Sequence, residues 1–241
     1  MTHIYRRFLD GIPWYLARHY WWAYLWDKAV WFFDHQPIIN AILFGQYRNL
    51  MTATMERLES APKESVLQLT CVYGELTPKL SEMVNGSIHI TDAATVQLDL
   101  ARKKCGREKL IATRMNAEQL GYKGDSFSTI ILFFLLHEMP PEARVNTLGE
   151  CMRTLKPGGS LLLTEYGAKP VRHLLYRFPP FRWTLTKLEP FLGSFWELDL
   201  EARLHELAAK HGKAVELVSE ESIFSGFYRV MEFKLSSRYP A

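Results

Sequence analysis

The stretch Ser65-Val-Leu-Gln-Leu-Thr-Cys-Val-Tyr-Gly-Glu-Leu-Thr77 constrains this chain more than any other. An apolar run, Val66–Leu69, breaks at Gly74, and a helical pattern starts at Glu75. A strand that feeds a helix through a tight turn is where an open α/β sheet holds a nucleotide-like ligand. Such a turn usually carries several glycines, because a side chain there keeps the backbone away from the ligand. Here only Gly74 remains, and Thr70, Val72 and Tyr73 stand where small residues are expected. The position suits a binding turn, but its residues are unusual.

The rest of the chain repeats the strand–helix rhythm. Strands are expected at 66–70, 87–91, 110–115, 129–136 and 160–164, with helices at 75–83, 93–104 and 142–155 between them. Lys156-Pro-Gly-Gly159 reads as a turn. A helix at 199–210 and a hairpin-like pair, 214–218 and 226–234, would close the sheet. The fold class expected is therefore α/β and Rossmann-like: seven strands, mostly parallel with one antiparallel, and helices on both faces. Residues 166–197 interrupt the rhythm with an apolar, aromatic stretch carrying Lys169, Arg172, Arg177, Arg182 and Lys187, which reads as a lid or insertion.

Residues 1–60 precede this domain as a helical, aromatic-rich extension. Of the seven tryptophans, Trp14, Trp21, Trp22, Trp26 and Trp31 lie here, joined by Tyr15, Tyr20, Tyr24, Phe32 and Phe33. Pro13 would open one helix over 14–33, and Pro37 precedes a second over 38–59. Aromatic rings with basic neighbours suit a membrane interface or a lipid-like substrate; a lid on the core or a dimer contact is the plainer reading. No run of apolar residues reaches the length of a membrane span, and the first seven residues do not read as a leader. Net charge is +3 in 241 residues, too mild for a nucleic-acid surface. The cysteines, Cys71, Cys105 and Cys151, form no CxxC pair and fit a reducing compartment.

The chemistry gathers at the expected strand ends. Asp92 closes the second strand about 20 residues after the turn, the spacing at which a carboxylate accepts ribose hydroxyls; a helix cap is the other role for an Asp there. Asn116-Ala117 follows the third strand, where an amide could pair with an adenine edge or simply make a turn. His137-Glu138 follows the fourth strand, offering a base or a metal ligand, or else a histidine satisfied by its neighbours. Glu165 ends the fifth. Asp92, His137, Glu138 and Glu165 could converge on a divalent ion, although their spacing matches no metal motif. No P-loop, nucleophile elbow or zinc pattern is present.

These pieces resemble a class I S-adenosylmethionine (SAM)-dependent methyltransferase domain over residues 66–165. The resemblance rests on 66–77, Ile90-Thr-Asp92, Asn116-Ala-Glu118, Asp125-Ser-Phe127, Leu136-His-Glu138 and Leu155-Lys-Pro-Gly-Gly159. Where that family's first loop has an acidic residue and three glycines, this chain has Gln68, Thr70, Val72 and Gly74. Pro13-Trp-Tyr-Leu, Tyr20-Trp-Trp-Ala-Tyr24, Asn40-Ala-Ile-Leu-Phe-Gly45 and Thr70-Cys-Val-Tyr-Gly74 resemble, over nearly the whole chain, the rhodoquinone-biosynthesis family RquA. That resemblance implies conversion of ubiquinone to rhodoquinone, with SAM as amino donor, a manganese ion, and peripheral attachment to the inner face of a membrane on the cytoplasmic (or mitochondrial matrix) side. The implied cofactor contacts are Gln68, Thr70, Val72, Tyr73, Gly74, Asp92, Ala93, Asn116, Ala117 and Phe133. The implied catalytic residues are Tyr73, His137 and Glu138, and the implied metal ligands Asp92, His137 and Glu138. A conventional quinone or lipid methyltransferase, or a binding module without catalysis, is the alternative.

Overall fold

A computed structural model of the protein describes residues 11–106 and 108–238. The reading of the first seven residues, and of 239–241 within the expected frayed end, falls outside them. The seven strands form one sheet in the order β3-β2-β1-β4-β5-β7-β6. They are β1 (Val66–Leu69), β2 (Ile88–Asp92), β3 (Leu110–Arg114), β4 (Phe127–Phe133), β5 (Leu155–Tyr166), β6 (Lys213–Ile223) and β7 (Tyr228–Ser237). Only β7 runs against the rest, because it turns back from β6 and inserts beside β5. This matches the expected mixed sheet.

The central strands explain themselves. Every residue of β1 and of β4 is buried. A parallel strand covered by helices on both faces has no solvent side, so it reads as an unbroken apolar run and not as an alternation. The helices of this layer are α5 (Leu76–Met83), α6 (Thr95–Cys105), α7 (Pro141–Thr154) and α11 (Leu200–Lys210). Pro141 opens α7 at a position where the missing N–H costs nothing. Asp199 caps α11 by accepting the Ala202 N–H at 3.0 Å.

The extension is more broken than its periodicity suggests. Instead of two long helices it folds as a π-helical turn (Leu16–Tyr20) followed by α1 (Trp21–Tyr24), α2 (Asp27–Phe33), α3 (Gln36–Ile42) and α4 (Tyr47–Ser60). Trp26 and His35 adopt extended backbone before α2 and α3. Phe44 and Gly45, with φ of 52° and 78°, turn the chain before α4. That turn calls for the left-handed region, which Gly45 enters without strain. Tyr15, Tyr20, Tyr47 and Leu50 are buried, so the inner side of the extension belongs to the core.

Two further boundaries differ from expectation. Lys156–Gly159 is no free turn but part of β5, where a register shift against β4 absorbs it. A side chain at Gly159 would place its Cβ 2.7 Å from the Ser128 carbonyl oxygen, which is why the strands close only on glycine. The interruption at 166–197 folds into the short helices α8 (Leu174–Arg177), α9 (Pro179–Leu188) and α10 (Leu192–Trp196), lying between β5 and α11.

Candidate active site

A cleft of about 160 Å³ opens at the carboxyl ends of β1, β2, β4 and β5. This is where side chains leave a parallel sheet and where ligands of such sheets bind. Thr70, Val72, Tyr73, Asp92, Ala93, Asn116, Ala117 and Phe133 line it, as do His137 and Glu138. Two of the expected cofactor residues do not. Gln68 is fully buried inside β1, its Nε2 donating to the Thr70 carbonyl at 3.1 Å. Gly74 is buried behind the turn, where a Cβ would lie 2.5 Å from the Tyr47 hydroxyl.

Asp92 holds one end of the cleft. Its Oδ2 accepts the Cys71 N–H at 2.9 Å, and its Oδ1 the Ala94 N–H at 2.7 Å. It thus ties the β1 turn to the start of α6 while facing the cavity. Burial raises its pKa to about 6 against the pull of these donors, so the carboxylate is charged at neutral pH. Asn116 shapes a local turn, its Oδ1 accepting the Glu118 N–H at 3.0 Å. Asp92, Ala93, Met115, Asn116 and Ala117 form one wall, which carries a charged acceptor.

The turn after β1 is held in strain. Thr70 has φ of 72°, a left-handed conformation that a β-branched residue adopts at a cost of about 1–3 kcal/mol. Thr70→Gly should therefore raise the melting temperature by roughly 2–4 °C, about 1 kcal/mol net of glycine's extra chain entropy. A calorimetric scan checks this; an unchanged or lower midpoint would mean that the Thr70 side chain contributes more than its backbone costs. Tyr73 is fastened rather than free. Its hydroxyl donates to the Ala23 carbonyl at 2.5 Å and accepts from Gln97 Nε2 at 2.9 Å, while its ring stacks on Tyr24 at 5.7 Å. The expected catalytic hydroxyl is spent on joining the turn to the extension.

The opposite end of the cleft is a cluster of acids, an imidazole and phenols. A 3₁₀ turn, Leu136–Glu138, presents His137 and Glu138. Fully buried Glu165 anchors that turn: its Oε1 accepts the Leu136 N–H at 2.6 Å, and its Oε2 lies 2.9 Å from His137 Nδ1. Glu138 Oε1 accepts from the Tyr24 hydroxyl at 2.5 Å. The other ring nitrogen of His137 faces Glu189 Oε2 at 3.7 Å, and Glu189 accepts from the Tyr20 hydroxyl at 3.0 Å. Burial alone would lower the His137 pKa, but the Glu165 carboxylate overrides it and lifts it to about 9. Burial pushes Glu138 and Glu189 upward, so each holds a proton more tightly than an ordinary carboxyl. Burial also keeps Tyr20, Tyr24 and Tyr166 as neutral O–H groups.

The metal expectation is not met. Among the described residues no group of three or more His, Cys, Asp or Glu side chains could hold a metal ion. Glu138 is bonded to Tyr24 and one nitrogen of His137 faces Glu165, while Asp92 holds the other end of the cleft. Asp92, His137 and Glu138 therefore do not fit a manganese site, although they line one cleft. Glu189, Tyr20 and Tyr24 were not singled out as site residues. No spacing signal marks them, since Tyr20 meets Glu189 from 169 residues away and Tyr24 meets Glu138 from 114.

Known proteins resemble this chain in sequence and in fold. A family profile described as a methyltransferase domain matches residues 66–159. Demethylmenaquinone methyltransferase of Lactiplantibacillus plantarum is 29% identical over 166 residues, covering 66% of this chain and 68% of that protein. The ubiquinone/menaquinone biosynthesis C-methyltransferase UbiE of Proteus mirabilis is 32% identical over 134 residues, covering 53% and 52%. The chain thus spans about half to two thirds of the length of these relatives. Among solved structures, the [4+2]-cyclase SpnF superposes with a TM-score of 0.59 at 17% identity, over 88% of this chain and 97% of that one. A putative sarcosine dimethylglycine methyltransferase from Galdieria sulphuraria gives 0.58 at 14%, over 82% and 88%. These likenesses are of fold, and a cyclase among them means that the fold does not fix the reaction. Residues 66–159 thus match a methyltransferase-domain profile, and the chain has the α/β Rossmann-like fold of these solved structures.

Proposed function

We propose that the protein is a SAM-dependent enzyme acting on a quinone, and that it replaces a ring methoxy group of ubiquinone with an amino group drawn from SAM, giving rhodoquinone. The observation that carries this reading is the two-ended cleft. A nucleoside wall built on Asp92 shares one cavity with a proton-holding cluster built on His137, Glu138 and Glu189. Simple transfer of a methyl group to a carbon acceptor needs a base to remove one proton. Exchange of methoxy for amino also asks for an acid, because the entering amine would shed protons as methoxy leaves as methanol. The nitrogen's bond to the α-carbon of SAM would then have to break, with loss of a proton from the β-carbon, to leave a free ring amine and an unsaturated acid. The cluster offers the acids, protonated His137 and a carboxyl, Glu138, that keeps its proton toward neutrality, and each becomes a base once it has given that proton up.

When bound, SAM supplies the nitrogen in this reading and an activated methyl group in the rival one. The chain does the rest. Asp92, ionised at neutral pH, accepts from the ribose hydroxyls. Leu16, Ile39, Ile42 and Leu43 give the cleft an apolar wall suited to a quinone ring and the start of its tail. Neutral Tyr166, also on the wall, is an O–H donor for a quinone carbonyl. Exposed Trp21, Trp26 and Trp31 on the extension, with Phe178, Trp183, Arg177 and Arg182 on the insertion, suit peripheral contact with an anionic membrane from which such a substrate would come. Among the described residues no helix is long and apolar enough to cross a membrane.

The second reading, ordinary C-methylation of a quinone, is favoured by the relatives named above. One experiment separates them. The protein is incubated with ubiquinone and SAM carrying ¹⁵N in its amino group and ¹³C in its methyl group, with and without manganese, and the quinones are analysed by mass. Nitrogen label in an aminoquinone is the expected result. Carbon label on the ring would establish methyl transfer instead, and an unlabelled quinone despite bound SAM would defeat both readings.

A further inference from the structure

In a strand–turn–helix unit, the first free N–H groups of the helix ordinarily receive the anionic part of a bound cofactor. In this chain they are already taken. The Gly74 N–H donates to Asp34 Oδ1 at 2.9 Å, and the Glu75 and Leu76 N–H groups donate to the Tyr47 hydroxyl at 2.7 and 3.0 Å. The Tyr47 hydroxyl donates onward to the Tyr73 carbonyl at 3.2 Å. Lys104 Nζ bridges Asp34 Oδ1 and the Gly74 carbonyl, at 2.6 Å each. Asp34 and Tyr47 both come from the extension, so side chains from outside the sheet domain satisfy the backbone from Tyr73 to Leu76. The negative charge that would suit this helix start is the chain's own, and Lys104 is already neutralised by it.

We propose that Asp34 and Tyr47 exclude the carboxylate of the cofactor's amino-acid arm from the turn after β1, and that the arm lies instead against His137, Glu138 and Glu189. This rests on the reading of the cleft as a SAM site. The second half follows from charge. The arm is a zwitterion, and the far end of the cleft presents an imidazole between two carboxyls, with His137 Nε2 at 3.7 Å from Glu189. An ammonium finds its acceptors in Glu138 and Glu189, and a carboxylate finds its partner in His137. Such an arrangement carries the amino nitrogen to the end of the cleft that holds and releases protons. Asp34 and Tyr47 are thus determinants of cofactor pose and stand outside the chemistry.

S-adenosylhomocysteine and 5′-methylthioadenosine test this, because they share the nucleoside and the thioether and differ only by the arm. Their affinities are measured by calorimetry for the wild type, Glu189→Gln and Asp34→Asn. Glu189→Gln should weaken S-adenosylhomocysteine roughly tenfold, the worth of one charge-assisted hydrogen bond, and move methylthioadenosine by less than about twofold. Asp34→Asn removes the excluding charge and frees Lys104, so it should shift the ratio of the two affinities toward S-adenosylhomocysteine. The proposal is overturned if Asp34→Asn leaves that ratio where it is. It is also overturned if Glu189→Gln shifts both ligands equally, even where Asp34→Asn fails to fold. If the wild type binds neither compound, the cofactor reading itself falls, and the proposal with it.

Discussion

Arg144→Met should unfold about 8–20 °C below the wild type. Arg144 is 1% exposed, and its guanidinium is spread over four backbone carbonyls. Nε donates to Leu136 at 2.9 Å, Nη2 to Met139 at 2.8 Å and Phe191 at 3.3 Å, and Nη1 to Ser194 at 3.1 Å. Its carbon also lies 5.3 Å from the centre of the Phe195 ring. Methionine fills the space but leaves those carbonyls without donors. Each buried acceptor so abandoned costs about 1–3 kcal/mol, and partial relaxation brings the sum to about 4–5 kcal/mol. The four carbonyls belong to two segments, the turn that carries His137 and Glu138 and the insertion that carries Glu189. Arg144 is therefore what holds the two halves of the acid cluster in register. Arg144→Lys tests the geometry: a single ammonium cannot reach acceptors arrayed around a planar fork, so it should recover less than half of the loss. Recovery to the wild-type midpoint by lysine, measured by scanning calorimetry, would show that charge alone matters there.

That residue also shows where sequence reasoning stops. Asp92, Asn116 and His137-Glu138 were legible because each follows a strand that its own apolar run announces, and a parallel sheet delivers every such position to one edge. The mixed sheet was legible for the same reason. The groups that complete the site were not. Tyr20, Tyr24, Asp34 and Tyr47 sit in a segment whose aromatic density suggests a surface, and it gave no sign that its inner side caps a helix and hydrogen-bonds two buried acids. Glu189 ends α9 in a stretch marked by its cations, and Arg144 looks like any polar position of a helix. Each owes its role to partners far away in sequence, and no local spacing encodes such a meeting. The metal expectation failed on a related point. Residue types at strand ends say which donors are near one another, but not that a tyrosine and a second carboxylate have already engaged them.

The acid cluster should make both stability and turnover depend on pH through Glu165. With the His137 pKa lifted to about 9 from an unfolded value near 6.5, its contribution to stability is complete below pH 6.5 and disappears as pH rises through 9. Glu138 and Glu189, pushed upward by burial, act in the same direction: the folded chain keeps protons that the unfolded chain has already released, so each favours the fold less as pH rises above the ordinary carboxylate range. The melting temperature should therefore fall between pH 6 and 9. Glu165→Gln keeps the shape and, through its amide oxygen, the bond from the Leu136 N–H, but it removes the charge and sets an NH2 where Oε2 met His137 Nδ1 and the Tyr166 N–H. Burial then governs His137, whose pKa should drop below its unfolded value. The variant should lose about 3 kcal/mol near neutral pH, roughly 6–12 °C, as expected when one side of a buried pair is neutralised. The fall of its midpoint from pH 6.5 to 9 should flatten at the same time. Turnover tests the functional half. If His137 works as an acid, the alkaline limb of its pH profile should move to lower pH in Glu165→Gln, and the rate at pH 8 should fall by about 10²-fold, within the range attributed to general acid–base groups. A merely structural role for Glu165 would lower the midpoint and leave the limb where it is, so an unmoved limb with a reduced melting temperature would remove His137 from the chemistry and leave Glu138 and Glu189 to carry the protons.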